Sequence, residues 1–156
     1  PKITCLLDNI ANEIRETAHN LMPDIVYQQG LEKALELFCA NINTANAFRL
    51  DLQIHECIGH LNKAAELNIY RVIQELVHNI MRHAGAKTAI IQFTKQENTL
   101  FVIVEDDGNG FDTKQKNPGS GLQNIRSRVA SLGGYFSIDS SPGRGTICHI
   151  EIPITA

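Results

Sequence analysis

Leu100-Phe101-Val102-Ile103-Val104-Glu105-Asp106-Asp107-Gly108-Asn109-Gly110 is the stretch that decides how this chain folds. Its first part reads as a strand, apolar and rich in β-branched residues, and its end is a loop of acids and glycines. Upstream, residues 87–95 read as a second strand, joined near Glu97-Asn98 to 99–106 in an antiparallel hairpin. Before that pair, residues from about Lys63 to Ala84 carry Ile69, Val72, Ile73, Leu76, Val77, Ile80 and Met81 on one face, a helix with a core stripe stopped by Gly85. Phe48, Leu50, Leu52 and Ile54 alternate with Arg49, Asp51 and Gln53, as in a half-buried strand. Two helices are expected earlier, over residues 3–22 and 31–41, divided by Met22-Pro23 and Gly30. Downstream of the loop, Leu122, Ile125, Val129 and Leu132 mark a helix ended by Gly133-Gly134. Strands over 135–139 and 146–152 then flank Ser140-Ser141-Pro142-Gly143. The element order predicts an α+β fold: a mixed, largely antiparallel sheet with helices on one face, preceded by a helical arm.

The totals bound the function. A chain of 156 residues suits one domain, or one with an appendage. A net charge of -3 offers no basic face for nucleic acid. No stretch approaches the roughly 18 apolar residues of a membrane span, and no secretory signal opens the chain. A soluble, cytoplasmic piece of a larger protein is expected, since Pro1 begins in mid-pattern. Cys5, Cys39, Cys57 and Cys148 are widely spread and read as reduced, buried thiols. His55 and His60 are five apart, as are His78 and His83, so neither pair shares a helix face as a zinc motif requires.

Four short clusters carry the chemistry. At about 100° per residue, Glu75, Asn79 and Arg82 share one stripe bordering the apolar one. A carboxylate and an amide oxygen one turn apart can face a hydrated Mg²⁺ or an attacking group. In the second cluster, Asp106-Asp107-Gly108-Asn109-Gly110, a carboxylate at a strand end is placed to accept from a buried donor such as an adenine amino group. Gly108 and Gly110 allow close approach of a ligand. The third, Gly119-Ser120-Gly121-Leu122, opens a helix, where free N–H groups and the helix dipole favour phosphate. Lys114 and Lys116 precede it. The fourth, Ser141-Pro142-Gly143-Arg144-Gly145-Thr146, joins the last two strands. Taken singly, each also suits a solvated helix face or a plain turn. Neither G-x-x-x-x-G-K-[ST] nor G-x-G-x-x-G occurs, so neither standard phosphate loop explains the glycines.

In this order the clusters resemble the ATP-binding domain shared by sensor histidine kinases, gyrase, Hsp90 and MutL. Gln74 to Ala84 resembles the N box, Val104 to Phe111 the G1 box, and Gly119 to Leu122 the G2 box. Ser141 to Thr146, with the strand ending in Ile152-Pro153, resembles the closing motif of histidine kinases. The resemblance covers roughly 48–154. A short lid of about 112–118 and an N box ending in Arg-His-Ala resemble the nitrate-sensor or desaturase-sensor subclass. The resemblance implies ATP and Mg²⁺ as cofactors. Asn79 would hold Mg²⁺ between the phosphates, and Glu75 would serve as a Mg²⁺-side or general-base residue. Arg82 would meet phosphate, and His83 would bind ATP from the neighbouring place, usually basic or aromatic. Asp107 would bind the adenine amino group, Gly108, Gly110, Gly119 and Gly121 would shape the pocket with Ser120 and Leu122, and Thr146 would lie near the adenine through water.

The resemblance further implies transfer of the γ-phosphoryl group to a histidine, relay to a response regulator, and homodimerisation through the helical arm. His19 is followed by Asn20 rather than an acid, and Pro23 comes four residues after it. The region around His19 instead resembles the second helix of a dimerisation domain, which puts the phosphoacceptor upstream of Pro1. Residues 1–42 are thus expected to be the end of that region and a linker, and 43–156 the ATP-binding domain. Two other readings stand beside this one: a serine kinase of the anti-sigma-factor type, and a non-catalytic docking module.

Overall fold

The computed structural model describes residues 24–45, 48–55, 58, 61–113 and 120–154; the expected arm helix over 3–22, with His19, lies outside them. After a helical stretch over 24–29, helix α1 spans Leu31–Ala45 and strand β1 Arg49–His55. Helix α2, Lys63–Asn79, continues into a π-helical turn, Ile80–Ala84. Strands β2 (Thr88–Gln96) and β3 (Thr99–Asp106), helix α3 (Ser120–Ser131), and strands β4 (Tyr135–Ser140) and β5 (Thr146–Pro153) complete the order. The five strands form one sheet, β1-β2-β3-β5-β4, in which only β1 and β2 run parallel. The expected α+β architecture is therefore the observed one.

Strand alternation sets the layers. Leu50, Ala89, Ile91, Phe93, Leu100, Val102, Val104, Phe136, Cys148, Ile150 and Ile152 are buried on the face that the helices cover. From the helices, Ile69, Val72, Ile73, Leu76, Val77, Ile125 and Val129 close onto them. Burying each fully enclosed side chain, such as Phe93 or Ile125, contributes about 1.5–3 kcal/mol. Asn62 caps α2, its side chain accepting from Ala65 N at 2.8 Å, which contributes about 1 kcal/mol. The β2–β3 hairpin turns at Glu97, which takes φ 51°.

Two boundaries differ from the sequence expectation. Helix α1 runs through position 42 without a break, and Leu31, Ala34, Leu35, Phe38 and Cys39 belong to the same core as the sheet. Its Asn43 side chain donates to Leu50 O at 2.9 Å and accepts from Leu50 N at 2.8 Å, fastening helix to strand. Helix α2 leaves α geometry after Asn79, so Met81 does not continue the core stripe and is 38% exposed. Gly85 ends the π turn in the left-handed region, φ 60°, as expected of a helix stop.

Candidate functional site

Asp106 ends the inward row of β3. Leu100, Val102, Val104 and Asp106 alternate with Phe101, Ile103 and Glu105, and the first four are buried. Asp106 is only 6% exposed. Gly108 N donates to its Oδ1 at 2.8 Å, and the Thr146 hydroxyl bonds the same carboxylate. Burial pushes the Asp106 carboxyl up; the Gly108 N–H opposes this, and the charge of Asp107 adds to it. Asp106, Thr146 and Ser140 are register partners on β3, β5 and β4, so their side chains line one face in a row.

Asp107 has the opposite aspect. Its carboxylate is exposed and accepts from Lys87 N at 2.7 Å, Thr88 N at 2.9 Å and Thr88 Oγ1 at 2.9 Å. The Thr88 amide, first among these donors, holds the carboxyl below its ordinary value. Asp107 thus fastens the start of β2 with three accepted bonds. Expected as the pocket carboxylate, Asp107 is found facing outward, and the inward carboxylate is its neighbour Asp106. The signal was in the sequence, because extending the period of two from Leu100 by three steps lands on Asp106.

The loop after Asp107 threads between the π turn and the β4–β5 turn. Asn109 N donates to Ala84 O at 2.7 Å, and Gly143 N to Asn109 O at 2.6 Å. A Cβ at Gly108 would meet Ala84 O at 2.5 Å and Asp106 Oδ1 at 2.6 Å. At Gly145, φ +71°, a Cβ would collide with Asp106 O. Gly110 packs against Ser141 and Gly145. Glycine at these crossings is therefore a steric requirement, and it brings the first, second and fourth clusters together.

The third cluster meets the first through Gly121. In the first turn of α3, a Cβ there would strike Glu75 Oε1 and lie 3.6 Å from Asn79 Nδ2. Glu75 and Asn79 are half-buried on α2. Leu122 packs against the core edge, while Gly119 and the Ser120 side chain, like Lys114 and Lys116, are outside the description. Arg82 and His83 are exposed on the π turn. Because i→i+5 bonding underwinds that turn, Arg82 does not continue the Glu75–Asn79 stripe as α geometry would have it.

Among the described residues no group of three or more His, Cys, Asp or Glu converges as a metal cage. One carboxylate and one amide, Glu75 and Asn79, instead fit an ion that keeps waters and takes its other ligands from a phosphate chain, as Mg²⁺ does. A separate shallow space of about 460 Å³ lies between α1 and β1, lined by Glu36, Cys39, Asn43 and Leu52. Cys39 and Cys148 are buried free thiols, each pushed up to about 12 by burial.

Comparison with known proteins follows this geometry. A family model described as "Histidine kinase-, DNA gyrase B-, and HSP90-like ATPase" matches residues 64–156. The chain is 33% identical over 151 residues to the sensor histidine kinase ComP of Bacillus subtilis, covering 95% of this chain and 20% of that protein. It is 30% identical over 154 residues to the sensor histidine kinase MctS of Rhizobium johnstonii, covering 96% of this chain and 33% of that one. The chain thus spans a third or less of the length of these relatives. The blue-light activated histidine kinase of Erythrobacter litoralis EL346 shares the fold, with a TM-score of 0.75 at 22% identity, over 92% of this chain and 50% of that chain. With more than half of its residues matched, the chain belongs to the histidine kinase-, DNA gyrase B- and HSP90-like ATPase family.

Proposed function

We propose that this chain is the ATP-binding catalytic domain of a two-component sensor histidine kinase. It binds ATP with Mg²⁺ and directs the γ-phosphoryl group to a histidine on the helical region of the full protein, for relay to an aspartate of a response regulator. That protein dimerises through the helical region, and the domain works in the cytoplasm. The packing of α1 into the core supports a domain boundary upstream of residue 42.

The observation that carries the reading is the seat of Gly121 against Glu75 and Asn79. It sets a helix N-terminus, which favours phosphate, beside a carboxylate and an amide suited to Mg²⁺. At the other end, Asp106 supplies a buried acceptor for the adenine amino group, in the role first expected of Asp107. Bound with Mg²⁺, ATP would supply the phosphoryl group, and the metal would offset its charge. Asn79 would hold the metal, and Glu75 would take the proton from the attacking nitrogen. Arg82 and His83 attract the phosphates, Thr146 steadies Asp106, and Ser120 and Leu122 would line the ATP site at the start of α3.

Calorimetry tests this. The parent should bind ATP in a Mg²⁺-dependent manner, and Asn79→Ala should lose that dependence. A parent that binds no ATP would refute the reading. In the longer protein the phosphoryl group should be acid-labile and alkali-stable, whereas an acid-stable one would point to a serine kinase.

A further inference from the structure

The hydrogen-bonded row at Asp106 does not stop at Thr146. Ser140 Oγ accepts from Phe111 N at 2.9 Å, donates to Gly145 O at 2.9 Å, and lies 3.1 Å from Thr146 Oγ1. A serine hydroxyl has one proton and two lone pairs. Phe111 N takes one lone pair, and the proton is shared between Gly145 O and Thr146 Oγ1, both within reach. Accepting from Ser140, Thr146 directs its own single proton to the Asp106 carboxylate. Both partners lie on its own row, in register with it on either side. The rotor of Thr146 is therefore confined to that line, and with it the direction from which Asp106 is already satisfied. Ser140 thus ties this row both to the loop beyond Gly110 and to the β4–β5 turn.

We propose that Ser140 is a positioning residue for base selection at the nucleotide site. Acting through Thr146, it fixes which lone pairs of Asp106 stay free, so that the site accepts a base presenting an amino donor and rejects one presenting a carbonyl oxygen. This rests on the reading of Asp106 as the adenine acceptor. Without the Ser140 hydroxyl, Phe111 N and Gly145 O each lose a partner. Thr146 can then turn off the row, and Asp106 no longer presents one fixed edge.

The test compares Mg²⁺-ATP with Mg²⁺-ITP, whose base carries a carbonyl where adenine has its amino group. Affinities are measured calorimetrically for the parent, Ser140→Ala and Ser140→Thr, with melting curves as a check on folding. The parent should favour ATP by about tenfold or more. Ser140→Ala should lower ATP affinity by about tenfold and leave ITP within about twofold, collapsing the preference. Ser140→Thr, which keeps the hydroxyl, should restore it. If Ser140→Ala does not fold, Ser140→Cys carries the same comparison. Equal losses for both nucleotides, at an unchanged ratio, would make Ser140 merely structural and overturn the proposal. A parent binding ATP and ITP alike would overturn the role of Asp106 along with it. A parent binding neither would overturn the nucleotide site itself.

Discussion

Exchanging the two neighbouring aspartates for asparagine, one at a time, separates their roles. Around Asp106 three donors would converge in the nucleotide complex: Gly108 N, the Thr146 hydroxyl and the adenine amino group. A carboxylate offers two acceptor oxygens, but an amide offers one, and its NH₂ must face a donor. Asp106→Asn therefore loses a charge-assisted bond and adds a donor–donor contact, about 1.5–3 kcal/mol or about ten- to a hundredfold in affinity. Asp107→Asn differs. Its oxygen can keep Lys87 N and Thr88 N, which already share Oδ1, and its NH₂ can donate to Thr88 Oγ1. Affinity should then stay within about twofold, as for other surface changes. Calorimetric titration with Mg²⁺ and a non-hydrolysable ATP analogue measures both. Melting should show Asp106→Asn folded and at least as stable as the parent near neutral pH, because it removes a buried charge that the fold disfavours. Loss of binding in Asp107→Asn, with Asp106→Asn unaffected, would refute the reasoning and restore the outward residue to the pocket.

The pH dependence of stability should carry opposite signs at the two positions. Asp107 is lowered by folding, so its contribution is present above the ordinary carboxylate range and lost as pH falls through its folded value; Asp107→Asn should flatten that acid limb in melting curves. Asp106 is raised, so its contribution declines as pH rises from the ordinary range through its folded value, and Asp106→Asn should gain on the parent over that window. Gly121→Ala, which drives a methyl group into Glu75, should cost about tenfold or more in Mg²⁺-ATP affinity while shifting the melting temperature by only a few degrees. Gly145→Ala should instead unfold the site, since it adds left-handed strain of about 1–2 kcal/mol to a collision with the Asp106 backbone; a variant melting with the parent would contradict the packing.

Most of the fold was legible because its signals are local. The alternation of Phe48 to Ile54, the core stripe of α2 and the glycine stops each report one element, and the structure returns those elements, the last turn before Gly85 in π rather than α geometry. The architecture followed from their order. The site was legible in its parts but not in its aim. Asp106-Asp107 offers two carboxylates whose identity is the same and whose direction is not, so only the strand register separates them. Arg82 was put on the stripe of Glu75 by assuming that α geometry persists. The π turn ends where Ala84 O accepts from Asn109 N, a contact between segments that no local pattern contains. Ser140 went unnoticed for the same reason: its partners, Phe111 and Gly145, belong to two different loops.

The paired bonds between Asn43 and Leu50 also bear on what the molecule avoids. Strand β1 is an edge member of the sheet, and among the described residues no strand pairs with its far side. Such an edge is a template onto which another chain can add. A side-chain amide presents donor and acceptor side by side, as a peptide group does, and Asn43 uses both on the outward N–H and C=O of Leu50. One residue of a helix thereby occupies the place where an incoming strand would begin its ladder. Shedding α1 would uncover a polymerisation edge as well as lose core contacts, so the helix guards solubility and stability together.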